Sequence, residues 1–290
     1  MHQKLVTLAA IPLLSMTAAL ADHHFTPLSA PAAKYTVGQE LKIDNGSRIG
    51  FIGGGLGSRM NIFNEFETEL QRRYPDANLY IRNFCKEGDT PGFRPHPSRK
   101  DFYAFPGAQE LVPEEFQVGA GNGHFPTPDQ WLKNHKIDTL IGFFGYTSSF
   151  GGPEDLKRYK KELTAFIDHT QKQNYSGKGA PQLAIVSPAA FENLSSKRDL
   201  PDGVSHNKNL ELYTQAMSEV CKQKGVLFID AFSITKSFYA ASEADLTSNG
   251  HNLNALGYRN LSSQLAQGLF GNADTQRDYA AIKALSLIHI

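Results

Sequence analysis

The chain has 290 residues, 40% of them hydrophobic and 11% aromatic, which is enough to bury a sizeable core in one α/β domain. Lys plus Arg and Asp plus Glu number 29 each, so no basic surface invites a nucleic acid. Two cysteines and no clustered histidines give no metal signature. Cys85 after a strand and Cys221 inside a helix read as two separate thiols rather than a bonded pair.

The first residues read as an export label. Lys4 supplies a positive start, residues 5–20 are largely apolar but short for a membrane span, and Ala19-Leu20-Ala21 has the small-x-small form of a cleavage site. Residues 1–21 are therefore expected to be a signal peptide, and the mature protein to begin at Asp22 in a periplasmic or extracellular compartment without a membrane anchor. Residues 22–45, with two prolines and no strong periodicity, read as an arm leading into the domain at 46–271.

The domain begins with an apolar strand through Ile49 to Ile52 and a turn of four glycines, Gly53-Gly54-Gly55-Leu56-Gly57. Apolar residues at helical spacing (Ile62, Phe63, Phe66, Leu70) follow and predict a helix over 61–74, ended by Pro75. A second strand is predicted at 78–84. Residues 91–130 are a Pro/Gly-rich excursion, and unstructured loops of that length are usually lids or binding surfaces. The third strand, 137–144, is almost wholly apolar. A helix over 153–172, a strand over 182–186, a helix over 209–224, a strand over 226–229, a short helix and a last helix over 255–269 complete the alternation. Five apolar strands separated by amphipathic helices imply a parallel sheet covered on both faces, a three-layer α/β sandwich of the flavodoxin-like class. The tail, 272–290, has no evident partner element, and its final residues look like translated adapter sequence.

Strand, glycine turn, helix is where open α/β folds place their chemistry. A dinucleotide fingerprint does not fit, because the last glycine comes one place early and the second strand ends at Asn83-Phe84 without an acid. A phosphate loop does not fit either, because Arg59-Met60 stands where Lys-Ser/Thr is needed. No cofactor is implied.

From about 48 to 269 the chain resembles the SGNH (GDSL-type) hydrolases. Their Gly-Asp-Ser-Leu block falls on Gly53-Gly54-Gly55-Leu56, and their Asn-x-Gly-x-x-Gly-Asp-Thr block on Asn83-Phe84-Cys85-Lys86-Glu87-Gly88-Asp89-Thr90. Gly-x-Asn-Asp falls on Gly145-Tyr146-Thr147-Ser148, and Asp-x-x-His on Asn249-Gly250-His251-Asn252, followed by Asn254, Gly257 and Tyr258. Thr90-Pro91-Gly92-Phe93-Arg94-Pro95 is similar to an exported bacterial subgroup often fused to further modules. The resemblance implies hydrolysis of acyl or carbohydrate esters by a serine, a histidine, an orienting acid and oxyanion donors.

Carried over by position, the nucleophile is Gly55, the oxyanion donor Thr147, the acid Asn249 and the base Asn252. Only Gly88 keeps the family's residue, and its backbone N–H can still donate. Asn254, Gly257 and Tyr258 place Asn252 in the base slot and turn His251 away, toward a solvated loop. Ser58, the nearest hydroxyl, reads as a helix N-cap; it and His251 are the fallback catalytic pair. The remaining donors, at Gly54, Gly55, Gly88, Thr147 and Asn252, suit binding a small neutral ligand, a carbohydrate or acyl ester, rather than cleaving it. In the long loop, Phe93, Arg94 and His96 either stack on and grip a ligand or cover the sheet edge.

Overall fold

A computed structural model describes residues 25, 27–29, 33–116, 121–273 and 277–288, so the leader at 1–21 lies outside the described residues. β1 (Arg48–Gly53) leads into three short helices, α1 (Gly55–Ser58), α2 (Met60–Phe63) and α3 (Glu65–Arg73), and then β2 (Tyr80–Asn83). The long excursion carries single 3-10 turns at Ala108–Glu110 and Glu114–Phe116 and ends in α4 (Pro128–Asn134). A capping box between Thr127 and Gln130 fixes the start of α4. β3 (Thr139–Phe143), α5 (Tyr146–Ser149), α6 (Gly152–Thr170), β4 (Gln182–Val186), α7 (Val204–Lys224), β5 (Leu227–Ile229), α8 (Ala231–Ala241) and α9 (Ala255–Phe270) follow, and then α10 (Tyr279–Ile288). No helix among the described residues is long and apolar enough to cross a membrane.

All strand pairs are parallel, in the order β2-β1-β3-β4-β5, the flavodoxin-like doubly wound arrangement. The two-residue alternation of each strand divides the core. Ile49, Phe51, Ile141, Phe143 and Val186 face α3 and α9, whose Phe66, Leu70, Leu261 and Leu265 cover them. Ile52, Leu140, Ile185 and Phe228 face the opposite layer, α6 and α7, with Tyr159, Leu163, Tyr213 and Met217. Because both faces are covered, the strands read as continuous apolar runs. Cys85 and Cys221 are both free thiols and belong to different faces of the core.

Three features differ from the sequence reading. The helix expected over 61–74 is broken at Asn64, whose left-handed φ of 53° ends α2 and starts α3. The tail expected to lack a partner forms α10 against α3, where Lys283 pairs with Glu65 at 3.0 Å and the Tyr279 hydroxyl reaches the same carboxylate. The segment before the domain is docked on it. Val37 and Phe228 exchange N–H···O bonds of 3.1 and 2.8 Å as an antiparallel bridge, and Leu41 N–H donates to Leu269 O at 2.7 Å. The outer edge of β5 is thereby covered.

Candidate functional site

The site follows from how β1 ends. Gly53 has φ +111°, and a β-carbon there would lie 2.1 Å from the Phe143 carbonyl oxygen, so glycine alone allows β1 and β3 to close up at this point. The Gly54 N–H donates to the same carbonyl at 2.7 Å, and α1 begins at the next residue. β1 lies between β2 and β3, where the strand order switches and open α/β sheets form their crevice.

A β-carbon built on Gly55 would meet no clash, with Glu87 Cγ at 3.8 Å and His251 Nε2 at 3.9 Å in ordinary contact. His251 therefore presents its ring nitrogen to the family's nucleophile position, which corrects the expectation that the register turns it away. The register landmarks do hold locally: Asn254 Oδ1 caps α9 by accepting from Gly257 N–H at 2.9 Å, and the Tyr258 hydroxyl donates to Leu56 O at 2.9 Å. What the register misses is the turn at Gly250, with φ +84°, inside a loop closed by a Thr247–Leu253 bridge. The turn brings His251 inward, where its ring stacks on Tyr146 at 3.5 Å between centroids and 11° between planes.

That loop is held from below by Glu192, a buried carboxylate that sequence reasoning passed over because it lies in an irregular segment. Its oxygens accept from Leu246 N–H, Thr247 N–H and the Thr247 hydroxyl at 2.6 to 3.2 Å, and its own N–H donates to Gly250 O. Asn249, at the family's acid position, is exposed and spends its Oδ1 on the backbone N–H groups of His251 and Asn252. Among the described residues no carboxylate pairs with the His251 ring. Burial, and then the positive charge of Arg59 and neighbouring His206, push His251 down to about 4. At neutral pH it is an uncharged imidazole facing a residue with no hydroxyl.

The other expected site residues are dispersed. Ser58 is the last residue of α1; Arg59 is the N-cap of α2, and neither helix has a side-chain cap bond, so the capping role is not realised. The Ser58 side chain is not among the atoms within 4 Å of the Gly55 β-carbon position. Gly88, at φ +91°, lies in an exposed turn next to Glu87 and keeps open space around it. Thr147 lines a separate groove with Phe116, Glu154 and Arg158. Asn252 is fixed by its backbone, donating to Asn249 and accepting from Ser248 N–H.

In the long loop, Phe93 is buried and stacks on Phe116 at 5.2 Å, so it packs rather than presents itself. The loop is pinned to α6 by buried Glu162, which accepts from the Thr90 hydroxyl at 2.6 Å and Gly92 N–H at 2.7 Å. Arg94 and His96 line a cavity of about 120 Å³ at the end of β2, together with Asp89, Arg99 and Trp131. Asp89 sits in the second motif block but carried no expectation of its own.

The sheet order, the glycine turn beyond β1 and the histidine loop before α9 define a fold of the SGNH/GDSL hydrolase type. No protein-family model matches the sequence, and no curated protein matches it. Among solved structures, the chain is similar to a catalytic mutant of an acetylxylan esterase from Geobacillus stearothermophilus, at 13% identity over 82% of this chain and 100% of that one, with a TM-score of 0.52. It is also similar to a protein described as a GDSL-like lipase from Parabacteroides merdae (11% identity, 80% and 99% coverage, TM-score 0.55). A third similar structure, a gut microbial diltiazem-metabolizing enzyme, matches at 12% identity, 79% and 49% coverage and a TM-score of 0.54. At these identities the likeness is one of fold.

Proposed function

We propose that this chain is a non-catalytic, ligand-binding form of an ester-hydrolase fold, exported and working as part of a larger protein. The observation that carries the proposal is the juxtaposition at Gly55: the position facing His251 Nε2 has no side chain, and among the described residues no carboxylate is hydrogen-bonded to the His251 ring to orient it. A hydrolase of this class needs both a nucleophile and an oriented base. What is left is a crevice of backbone at Gly54 and Gly55 beside the stacked Tyr146 and His251 rings. The Gly54 N–H, expected as a donor, is spent on Phe143 O, so it is the Gly55 N–H at the start of α1, with a flat aromatic wall, that suits a neutral acyl or carbohydrate ester. The leader-like residues 1–21 support export, and the resemblance to fused bacterial proteins supports a modular context.

A second reading, an active esterase, has the placement of His251 in its favour and the position of Ser58 against it. The experiment is turnover of p-nitrophenyl acetate and of an acetylated sugar by the purified protein. A rate equal to the buffer blank, with the acetylated sugar raising the melting temperature, supports binding without cleavage. A clear rate that disappears in His251→Ala overturns the proposal and selects the second reading.

A further inference from the structure

The cavity beside the crevice has a different chemistry. Arg94 and Arg99 are 6% and 3% exposed, and Asp89 is 5% exposed. Arg99 is well satisfied, its Nε donating to Pro126 O at 2.8 Å and its Nη1 to Arg94 O at 2.6 Å. Arg94 is not: its guanidinium lies over the Phe166 and Phe144 rings at 5.1 and 5.8 Å, but its only hydrogen bond among the described residues is a long one to Pro91 O at 3.5 Å, and its buried Nε has no partner. Asp89 Oδ1 is likewise buried without a partner, and no ion pair joins Asp89 to either guanidinium.

Buried charges are normally paired, and an unpaired guanidinium in a low-dielectric pocket is costly. The other carboxylate that acts on Arg94, Asp129, is committed elsewhere, to His169 Nε2 at 2.7 Å and the Tyr175 hydroxyl at 2.6 Å. Burial raises Asp89 to about 8 despite Arg94, Arg99 and Lys86, while Arg99 is lowered only to about 10. At neutral pH the cavity thus carries two cations beside a largely protonated acid. Lys86, exposed at the rim, adds a third positive charge.

We propose that this cavity, bounded by Arg94, Arg99, Asp89 and the apolar wall of Ile52, Phe84 and Trp131, is a binding site for a small carboxylate monoanion of about the size of acetate. Guanidinium groups match carboxylate oxygens in charge and in donor geometry. The acid proton of Asp89 can donate to a carboxylate oxygen. The apolar wall receives a methyl group. A volume of about 120 Å³ is ample for a molecule the size of acetate. The site is separate from the glycine crevice, although the two share a wall, since Asp89 O lies 3.5 Å from a β-carbon built on Gly54. The inference stands whether or not the crevice is catalytic.

Trp131 is the single tryptophan of the chain and lines the cavity, so its fluorescence reports on occupancy without any label. Titration of the wild-type protein with sodium acetate at constant ionic strength should give a saturable change, and acetamide, the neutral isostere, should give none. Arg94→Gln should weaken the response about tenfold or more, the range for a lost charge-assisted hydrogen bond. His251→Ala should leave it unaltered. If Arg94→Gln does not fold, Lys86→Gln at the rim gives a smaller loss in the same direction, and the acetate–acetamide contrast in the wild type decides alone. The proposal is overturned by the absence of a saturable acetate response, by an equal response to acetamide, by tighter binding of sulfate or phosphate, or by full acetate affinity in a folded Arg94→Gln.

Discussion

At Gly55 one missing side chain separates this crevice from a hydroxyl–imidazole pair. The backbone there is outside the left-handed region, and a β-carbon has room, so a serine fits without strain. Gly55→Ser places a hydroxyl beside His251 Nε2, and hydrolysis of p-nitrophenyl acetate is expected to rise about tenfold or more over wild type. The double variant Gly55→Ser/His251→Ala should return to the wild-type level. If Gly55→Ser alone stays at that level, His251 is not positioned as a base. The same histidine sets one side of the pH–stability curve. Its value falls from an ordinary 6.5 to about 4 on folding, so below pH 6.5 the unfolded chain takes a proton that the folded one refuses. That contribution is complete above 6.5 and is lost as pH drops toward 4. Asp89 works in the opposite sense: raised from 3.8 to about 8, it contributes fully below pH 4 and loses its contribution as pH rises toward 8. The two slopes oppose each other between pH 4 and 6.5, so in urea unfolding His251→Gln should make stability fall more steeply with rising pH in that window, and Asp89→Asn should remove the fall between about pH 4 and 8.

At the scale of elements, the parts readable from sequence were those whose environment is uniform. β4 forms over Gln182–Val186 as its apolar run indicates, and the other strands shift only at their ends. The break at Asn64 was hidden because apolar spacing continues through it, while a single left-handed residue redirects the chain. The first turn of α7, from Val204, was hidden because Val204 is exposed and followed by the polar run Ser205 to Lys208, and because it starts from a left-handed Gly203. The glycine turn and the His251 loop were legible as candidates, but the aim of His251 was not. It depends on Gly250 and on Glu192, more than fifty residues away, neither of which carries a local pattern. This makes Glu192 a test of the element rather than of the residue. Glu192→Gln turns one acceptor into a donor facing N–H groups and should cost about 1–3 kcal/mol in urea unfolding. Amide exchange at 246–251 should accelerate, and an exchange pattern unchanged there would show that the loop is held by other means.

At the scale of the whole molecule, the segment before β1 decides whether the sheet has an open edge. β5 is three residues long and lies last in the sheet, a position where unpaired N–H and C=O groups invite association with another chain. The bridge from Val37 to Phe228 closes it. Neighbouring bonds extend the dock: Tyr35 N–H donates to Asp230 at 3.0 Å, and the Ser218 hydroxyl donates to Tyr35 O. None of this has a side-chain period, because the backbone carries most of it, and so the segment read as a mere lead-in. Residues before 46 thus share backbone hydrogen bonds with β5 and α9. Val37→Pro removes the N–H that reaches Phe228 O without shortening the chain, and should lower stability by about 1–3 kcal/mol. A protein beginning at Ser47 should melt lower still and self-associate in sedimentation through the exposed β5 edge. Should it remain monomeric with an unchanged melting temperature, the segment is an appendage and β5 is protected by its shortness alone.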